Sequence, residues 1–313
     1  MSVKGLLIDF AETLATAVQS VFDRIGNDAA PVPGDETLQR QHKTIENLLA
    51  TITGSYKSSE DIIPEEHTIT RMYTAPTGMR SFTFDESGYL LLLKNTNDYQ
   101  KLDLVNNAII SSGTISANGD TWTASDLISI KKCGSYYAVA VRNYAGTLNS
   151  IYVYSQALVF IRKFAITDPI LGIAWNGTNL AILTSVVPAG GFGLQNTITY
   201  VDLEGTVVGT PKVDQRNISV VQAITYNRLP VKQELFYDDS TFFFPKILLN
   251  KTTGAIWGMT ENGFLTRILK FTDMTGTLTQ EVVITAIDYS ADYLYMLMSI
   301  GTTSVIGVVK IND

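Results

Sequence analysis

A chain of 313 residues with 45% hydrophobic and 17% charged residues can bury a large core, which excludes global disorder. Its net charge is −7 and nothing in the sequence resembles a basic face of the kind that grips phosphate backbones, so no nucleic acid is expected as a partner. Sparse charge together with abundant Gly, Thr, Ser, Asn and Tyr suits β-sheets and tight turns better than helical bundles.

The first residues do not read as a signal peptide, because Asp9 and Glu12 interrupt the apolar stretch. No run approaches the roughly 18 apolar residues of a membrane span, so no membrane insertion is expected. Leu7, Ala11, Leu14, Val18, Val21 and Ile25 recur at alternating spacings of four and three, the period of a coiled-coil seam. Leu6, Phe10 and Phe22 widen that stripe toward more than one neighbour. Gly26-Asn27-Asp28 ends the helix, and Pro31, Pro33 and Gly34 extend the break. A second helix is predicted over 36–53, with Leu38, Ile45, Leu48 and Ile52 on heptad positions and polar Gln41 on the remaining one. Two helices this short are marginal alone in water, so they need partners. Sister copies or a larger assembly could supply them, and so could the rest of the chain if the helices fold back on it. Residues 1–53 thus read as a coiled-coil-like segment for attachment and oligomerisation, and 54–62 as a linker.

From residue 63 to 313 the pattern changes to short strands in repeated units. Each unit is an alternating strand, a tight turn and a more continuously apolar strand. Phe82–Asp85 leads through Gly88 into Tyr89–Leu93, and Ile128–Lys131 leads through Gly134 into Tyr136–Val141. Leu171–Trp175 leads through Gly177 into Asn179–Leu183, and Thr285–Tyr289 leads into Tyr293–Met298. Another unit is read near 247, running through Gly254 into Ala255–Met259. Third and fourth strands are expected at Ile151–Tyr154, Ile198–Asp202, Ala108–Ser111 and Phe160–Phe164. Units about 38 to 46 residues apart match four-stranded propeller blades. The interval from 171 to 247 is too long for one blade and holds either a degenerate blade around Val221–Tyr226 or an insertion. The expected fold is therefore mainly β, a β-propeller of five or six blades, with a β-sandwich as the alternative. Pairing His67–Tyr73 with the terminal strand Val305–Ile311 would close the ring and remove an exposed sheet edge.

Nothing in the chain spells out a reaction. Only His42 and His67 exist, one in the helical segment and one near the linker, which leaves little room for a Ser-His-Asp or Cys-His hydrolase and removes multi-His metal sites, and the lone Cys133 supports no Cys-based zinc site. No catalytic residue, cofactor or metal ligand is assigned. Asp85, Asp103, Asp202, Asp273 and Asp288 fall at strand ends or turns. They are read either as turn caps or as axial carboxylates of a propeller-type depolymerase or glycosidase, and no spacing singles out an acid–base pair. The aromatic residues Trp122, Tyr136, Tyr137 and Tyr144 are the candidate ligand contacts, with Trp175 and Trp257 weighed beside them, as rings that could stack on a sugar face. Packing between blades would use large rings at the same places. Phe242-Phe243-Phe244, read as part of an irregular stretch, would form an apolar contact patch if exposed.

The stretch from Leu14 to Asp28, an Ala/Thr/Gln-rich helix running into Ile25-Gly26-Asn27-Asp28, resembles the attachment ends of tailed-bacteriophage tail-fibre and tail-appendage proteins. The resemblance covers about fifty residues and carries a role without a specific site. It implies a virion structural protein, on the tail rather than the head, assembled in the host cytoplasm. It further implies a homo-oligomer, with a trimer favoured, that contacts other virion proteins through residues 1–53. The distal domain would face the host for receptor binding, to a surface glycan or protein. Many such fibres continue as a thin trimeric β-structure, whereas this chain continues as a globular repeat, so a purely structural tail or capsid-decorating role stays open beside receptor binding.

Overall fold

The structure, a computed structural model, describes residues 64–311 apart from 95, 124–125, 144–146, 187–194, 215–235, 239–240, 249–250, 261–264, 273–281, 291 and 301–302. The heptad residues from Leu7 to Ile52 therefore lie outside the described residues, as do the linker and the stretch around Val221–Tyr226.

Two short strands lead in, β1 (Glu65–Thr68) and β2 (Arg71–Thr74). The first sheet follows as β3 (Met79–Phe84), β4 (Leu90–Lys94), β5 (Asp98–Asp103) and β6 (Ala108–Thr114), in that order. The second is β7 (Leu127–Cys133), β8 (Tyr136–Arg142), β9 (Asn149–Ser155) and β10 (Phe160–Ala165). The third is β11 (Ile170–Trp175), β12 (Leu180–Val186), β13 (Gln195–Val201) and β14 (Lys212–Asp214). The fourth is β15 (Phe236–Asp238), β16 (Thr241–Leu248), β17 (Lys251–Thr260) and β18 (Leu265–Thr272), with β1 added in parallel beside β18. The fifth is β19 (Val282–Ser290), β20 (Tyr293–Ile300) and β21 (Thr303–Lys310), completed by β2 antiparallel to β21.

The first strand of each sheet lines a common centre: β3 lies against β7, β7 against β11, β11 against β15, β15 against β19, and β19 against β3. Meandering sheets packed face to face around such a centre make a β-propeller arrangement. A sandwich would divide its strands between two facing layers, which this sheet order does not do.

Burial explains why the second strand of each unit reads as continuously apolar. Leu91 and Leu93 of β4 fill the seam with the second sheet, together with Ile128, Ile130, Tyr137 and Val139. Leu90 and Leu92 point the other way, into the seam with the fifth sheet, beside Phe82, Leu297 and Ile306. β8 divides likewise, sending Tyr137, Val139 and Val141 toward the first sheet and Ala138 and Ala140 toward the third. A strand covered on both faces loses the polar half of its alternation. Each such leucine stabilises the fold by about 1.5–3 kcal/mol.

The turns follow from the polar residues between strands. Asp85 accepts hydrogen bonds from the backbone N–H groups of Ser87 at 2.8 Å and Tyr89 at 3.0 Å, and Gly88 sits at φ +81°, where an L side chain is disfavoured.

Three details differ from the reading of the sequence. The leading strand is not continuous over His67–Tyr73: β1 pairs with the fourth sheet and β2 with the fifth. Between them Ile69, fully buried, fills the seam beside Leu269 and Val309, and the Thr70 hydroxyl and N–H both reach Val308 O, at 3.0 and 2.8 Å. The unit read near 247 is displaced by one strand. Ile247 and Leu248 end the second strand of the fourth sheet, paired with Thr252 and Lys251 of the third. The true first strand is the three-residue β15, too short to show alternation. Phe242-Phe243-Phe244, read as irregular, lies in β16 opposite Met259, Gly258 and Trp257.

Candidate functional site

The C-terminal ends of β3, β7, β11 and β19 converge on a recess of about 290 Å³ at one mouth of the ring, lined by Thr83, Phe84, Lys131, Trp175, Asp288 and Tyr289 among others. The inner strands lie close enough here that small hydroxyls link neighbouring sheets. Ser81 Oγ accepts from Ile130 N–H and Thr83 Oγ1 from Lys132 N–H, both at 3.0 Å. Ser81 and Thr83 are both buried, and their hydroxyls satisfy backbone donors of the neighbouring inner strand.

Lys131 is the unusual member. It is 3% exposed, and its ammonium donates to Ile287 O at 2.6 Å and lies 3.7 Å from Asp288 Oδ1. This contact joins the second sheet to the fifth across the mouth. Asp288 Oδ1 also accepts from Tyr289 N–H at 3.0 Å. Around the charged pair stand Phe84, Trp175 and Tyr289, with Phe84 held edge-on against Tyr295 at 4.7 Å between centroids. Rings flanking a fixed donor and acceptor suit binding of a small polar ligand with apolar faces.

Hydrolysis of a glycoside needs two carboxylates flanking the bond. Among the described lining residues Asp288 is the single carboxylate, and Lys131 lies beside it. Of the other candidate aspartates, the three with described side chains serve turns. Asp85 caps the β3–β4 turn and accepts from Lys101 Nζ at 3.0 Å. Asp103 accepts from the N–H groups of Val105 and Asn106 and from the Asn106 amide at 2.7 Å. That amide, followed by the two backbone bonds, outweighs desolvation and holds its carboxyl below the usual range. Asp202 accepts from Glu204 N–H at 2.9 Å and Thr206 N–H at 2.8 Å, and the Thr206 bond chiefly lowers its pKa. Asp273 lies outside the described residues. Among the described residues no group of three His, Cys, Asp or Glu side chains could hold a metal ion.

The four aromatic candidates do not converge. Trp122, 6% exposed, packs edge-on against Tyr152 at 5.0 Å, and Tyr137, 1% exposed, lies in the same seam between the first and second sheets. Neither offers a ring face to solvent, so the ligand-contact reading is corrected to packing for both; burial also raises the Tyr137 hydroxyl to about 12. Tyr136 is exposed at the start of β8, and Tyr144 lies outside the described residues. The mouth instead gathers Lys131 and Asp288 with Trp175, a further aromatic residue that the sequence offers. The legible signal for Lys131 was an ionisable residue in an inner strand otherwise built for burial.

No protein-family model matches this chain, and no curated protein matches it. Among solved structures it is similar to glutaminyl cyclase of Myxococcus xanthus, at 12% identity and a TM-score of 0.49, over 80% of this chain and 100% of that one. It is also similar to the β-propeller domain of Cps50 (Swd1) of Myceliophteria thermophila, at 12% identity and 0.40, over 79% of this chain and 100% of that one. A chain of the mitotic checkpoint complex aligns at 10% identity and 0.41, over 82% of this chain and 96% of that one. At these identities and scores the likenesses say nothing about activity.

Proposed function

We propose that this chain is a bacteriophage virion structural protein, a tail fibre or tail appendage. Residues 1–53 would bundle copies and dock them onto other virion proteins, and the β domain, read as a five-bladed propeller, would be displayed for host-receptor binding. The observation that carries this reading is the run of heptad-spaced apolar residues from Leu7 to Ile25 ahead of a β domain that closes on itself. How the chain enters that domain supports it. β1 and β2 are hydrogen-bonded into two different sheets, so a load arriving through residue 64 is shared between two ladders. Copies held on one particle raise effective concentration, so a weak individual site suffices for attachment.

A depolymerase is not favoured, because Asp85, Asp103 and Asp202 cap turns and Asp288 is the single carboxylate among the described residues lining the mouth.

The test is the oligomeric state and location of the full chain. Light scattering is expected to show a trimer that Leu14→Asp with Val18→Asp converts to a monomer with an unchanged thermal transition of the β domain. Antibody labelling is expected to place the chain on the particle tail. A wild-type chain that is strictly monomeric and absent from particles would overturn the reading.

A further inference from the structure

A second recess lies on the flank of the second sheet. It is bordered by the crossover from the first sheet, the start of β9 and the end of β10. Its volume is about 460 Å³, and its lining includes Asp120, Thr121, Asn143, Thr147, Lys163 and Thr167. Register places it at the end of the sheet away from the axial mouth, since Asn149 pairs with Arg142 and Arg142 with Leu127, the first residue of β7.

The polar groups here are held in place before anything binds. Asp120 Oδ2 accepts from the Tyr152 hydroxyl and from Lys163 Nζ, the latter at 2.6 Å. The same ammonium lies 5.4 Å from the centroid of the Tyr152 ring, so the three side chains fix one another. Asn143 Nδ2 donates to Thr147 Oγ1 at 2.8 Å, and its Oδ1 accepts from Leu148 N–H at 3.0 Å. Asn149 fastens the wall formed by the chain after β10: Nδ2 donates to Ile166 O at 2.6 Å and to Asp168 O at 2.7 Å, while Oδ1 accepts from Ile170 N–H at 3.0 Å.

We infer that this recess binds a neutral pyranose residue of a glycan, with Asp120 and Lys163 gripping adjacent hydroxyls. The inference rests on the displayed-module reading above and names its site. A sugar hydroxyl both donates and accepts. Asp120 retains Oδ1 as an acceptor, and an ammonium has three donors of which Asp120 takes one, so the pair offers both functions side by side. The carboxyl stays ionised near neutral pH. Burial pushes its pKa up, but the bonds from Lys163 and Tyr152 outweigh that and hold it below the usual range. One cation and one anion leave the lining without net charge, which fits a neutral sugar better than a uronate. The threonine hydroxyls on the rim extend the same chemistry, and the volume falls within the roughly 300–1,000 Å³ of small-ligand sites.

The experiment uses the full chain and methyl pyranosides of glucose, galactose, mannose and N-acetylglucosamine, read by saturation-transfer NMR. At least one is expected to show transfer. Thr167→Trp fills the recess from its exposed rim while Asp120 and Lys163 stay unsubstituted, and is expected to abolish transfer while the thermal transition is kept. Asp120→Asn is expected to weaken binding about tenfold or more, the loss of a charged hydrogen bond. Val105→Ser, an exposed change remote from the recess, is expected to alter nothing. Transfer from none of the four, or transfer that persists unchanged in Thr167→Trp, would overturn the inference. Wild-type binding to host cells that survives Thr167→Trp would sink this site and leave the tail-appendage reading intact. Pyranoside binding at the recess by a chain absent from particles would do the reverse.

Discussion

Arg267 of β18 grips Glu65 of β1 through two parallel hydrogen bonds, Nε to Oε1 at 2.8 Å and Nη2 to Oε2 at 2.6 Å. The fork spans the parallel pairing that adds the leading strand to the fourth sheet, where four residues of β1 face Leu269 to Thr272. His67 Nε2, 3.3 Å from Glu65 Oε2, adds a third contact on the same carboxylate. A short parallel ladder is a weak anchor, and a bidentate pair fixes its register as well as its position.

The carboxylate of Glu65 therefore sits below its ordinary value of 4.5, chiefly through the Arg267 hydrogen bond and against the opposing effect of burial. A folded pKa below the unfolded one stabilises at pH above the unfolded value, and that stabilisation is lost as pH falls through the folded value. Glu65→Gln should thus be less stable than wild type at neutral pH. Because the pair is partly exposed, the difference should be below about 1 kcal/mol. Urea melts at a series of pH values should show the gap constant near neutrality and closing below pH 4.5. A gap that ignores acidification would mean the fork contributes nothing to anchoring β1.

Lys131 gives a larger effect because it is buried. Lys131→Met removes the donor to Ile287 O and leaves Asp288, whose side chain is 15% exposed, without the ammonium beside it. Breaking one side of such a pair should cost about 2–4 kcal/mol in urea unfolding. Adding Asp288→Asn to Lys131→Met should recover part of that, since no carboxylate then faces the methionine. A double variant no more stable than the single one would show that the pair does not couple the second and fifth sheets.

Cys133 reports on the seam between the second and third sheets. It is fully buried beside Ala138, Ile173 and Leu180, and burial pushes its thiol well above the usual cysteine range. Alkylation needs the thiolate and access. Iodoacetamide should leave Cys133 unmodified in the native chain and modify it fully in denaturant, as mass spectrometry reads directly. Native modification at the rate of a free thiol would contradict the packing of this seam.

What the sequence made legible tracks how many faces each strand buries. β4 and β8 are covered on both sides, so their apolar runs announced units in the correct places. β15 has three residues, and its sheet could only be located one strand late. A strand within His67–Tyr73 was visible, but the switch of sheet at Ile69 was not, because a crossing residue has no period of its own. At the site, Asp288 and Trp175 stood among many similar residues, and nothing local distinguishes an aspartate that faces the axis from one that caps a turn. Trp122 and Tyr137 were plausible as sugar platforms because a ring packed between sheets and a ring facing a ligand have the same composition. The Asp120–Lys163 contact joins residues far apart in the chain, and spacing carries no trace of it.

The turn after β13 makes the sharpest steric prediction. Gly205 sits at φ +93°, in a turn where Asp202 Oδ1 accepts from Glu204 and Thr206 N–H groups. A Cβ there would lie 2.7 Å from Phe164 Cγ and 3.0 Å from its Cδ2, inside van der Waals contact. Gly205→Ala therefore combines backbone strain with a clash against β10, and should lose about 2–3 kcal/mol in thermal or urea unfolding. The two contributions separate in a cycle with Phe164→Ala, which removes the obstructing ring but leaves the backbone conformation. Against that background Gly205→Ala should cost only the conformational part, about 1–2 kcal/mol. If the cost is the same with and without the ring, the turn of the third sheet does not rest on the outer strand of the second.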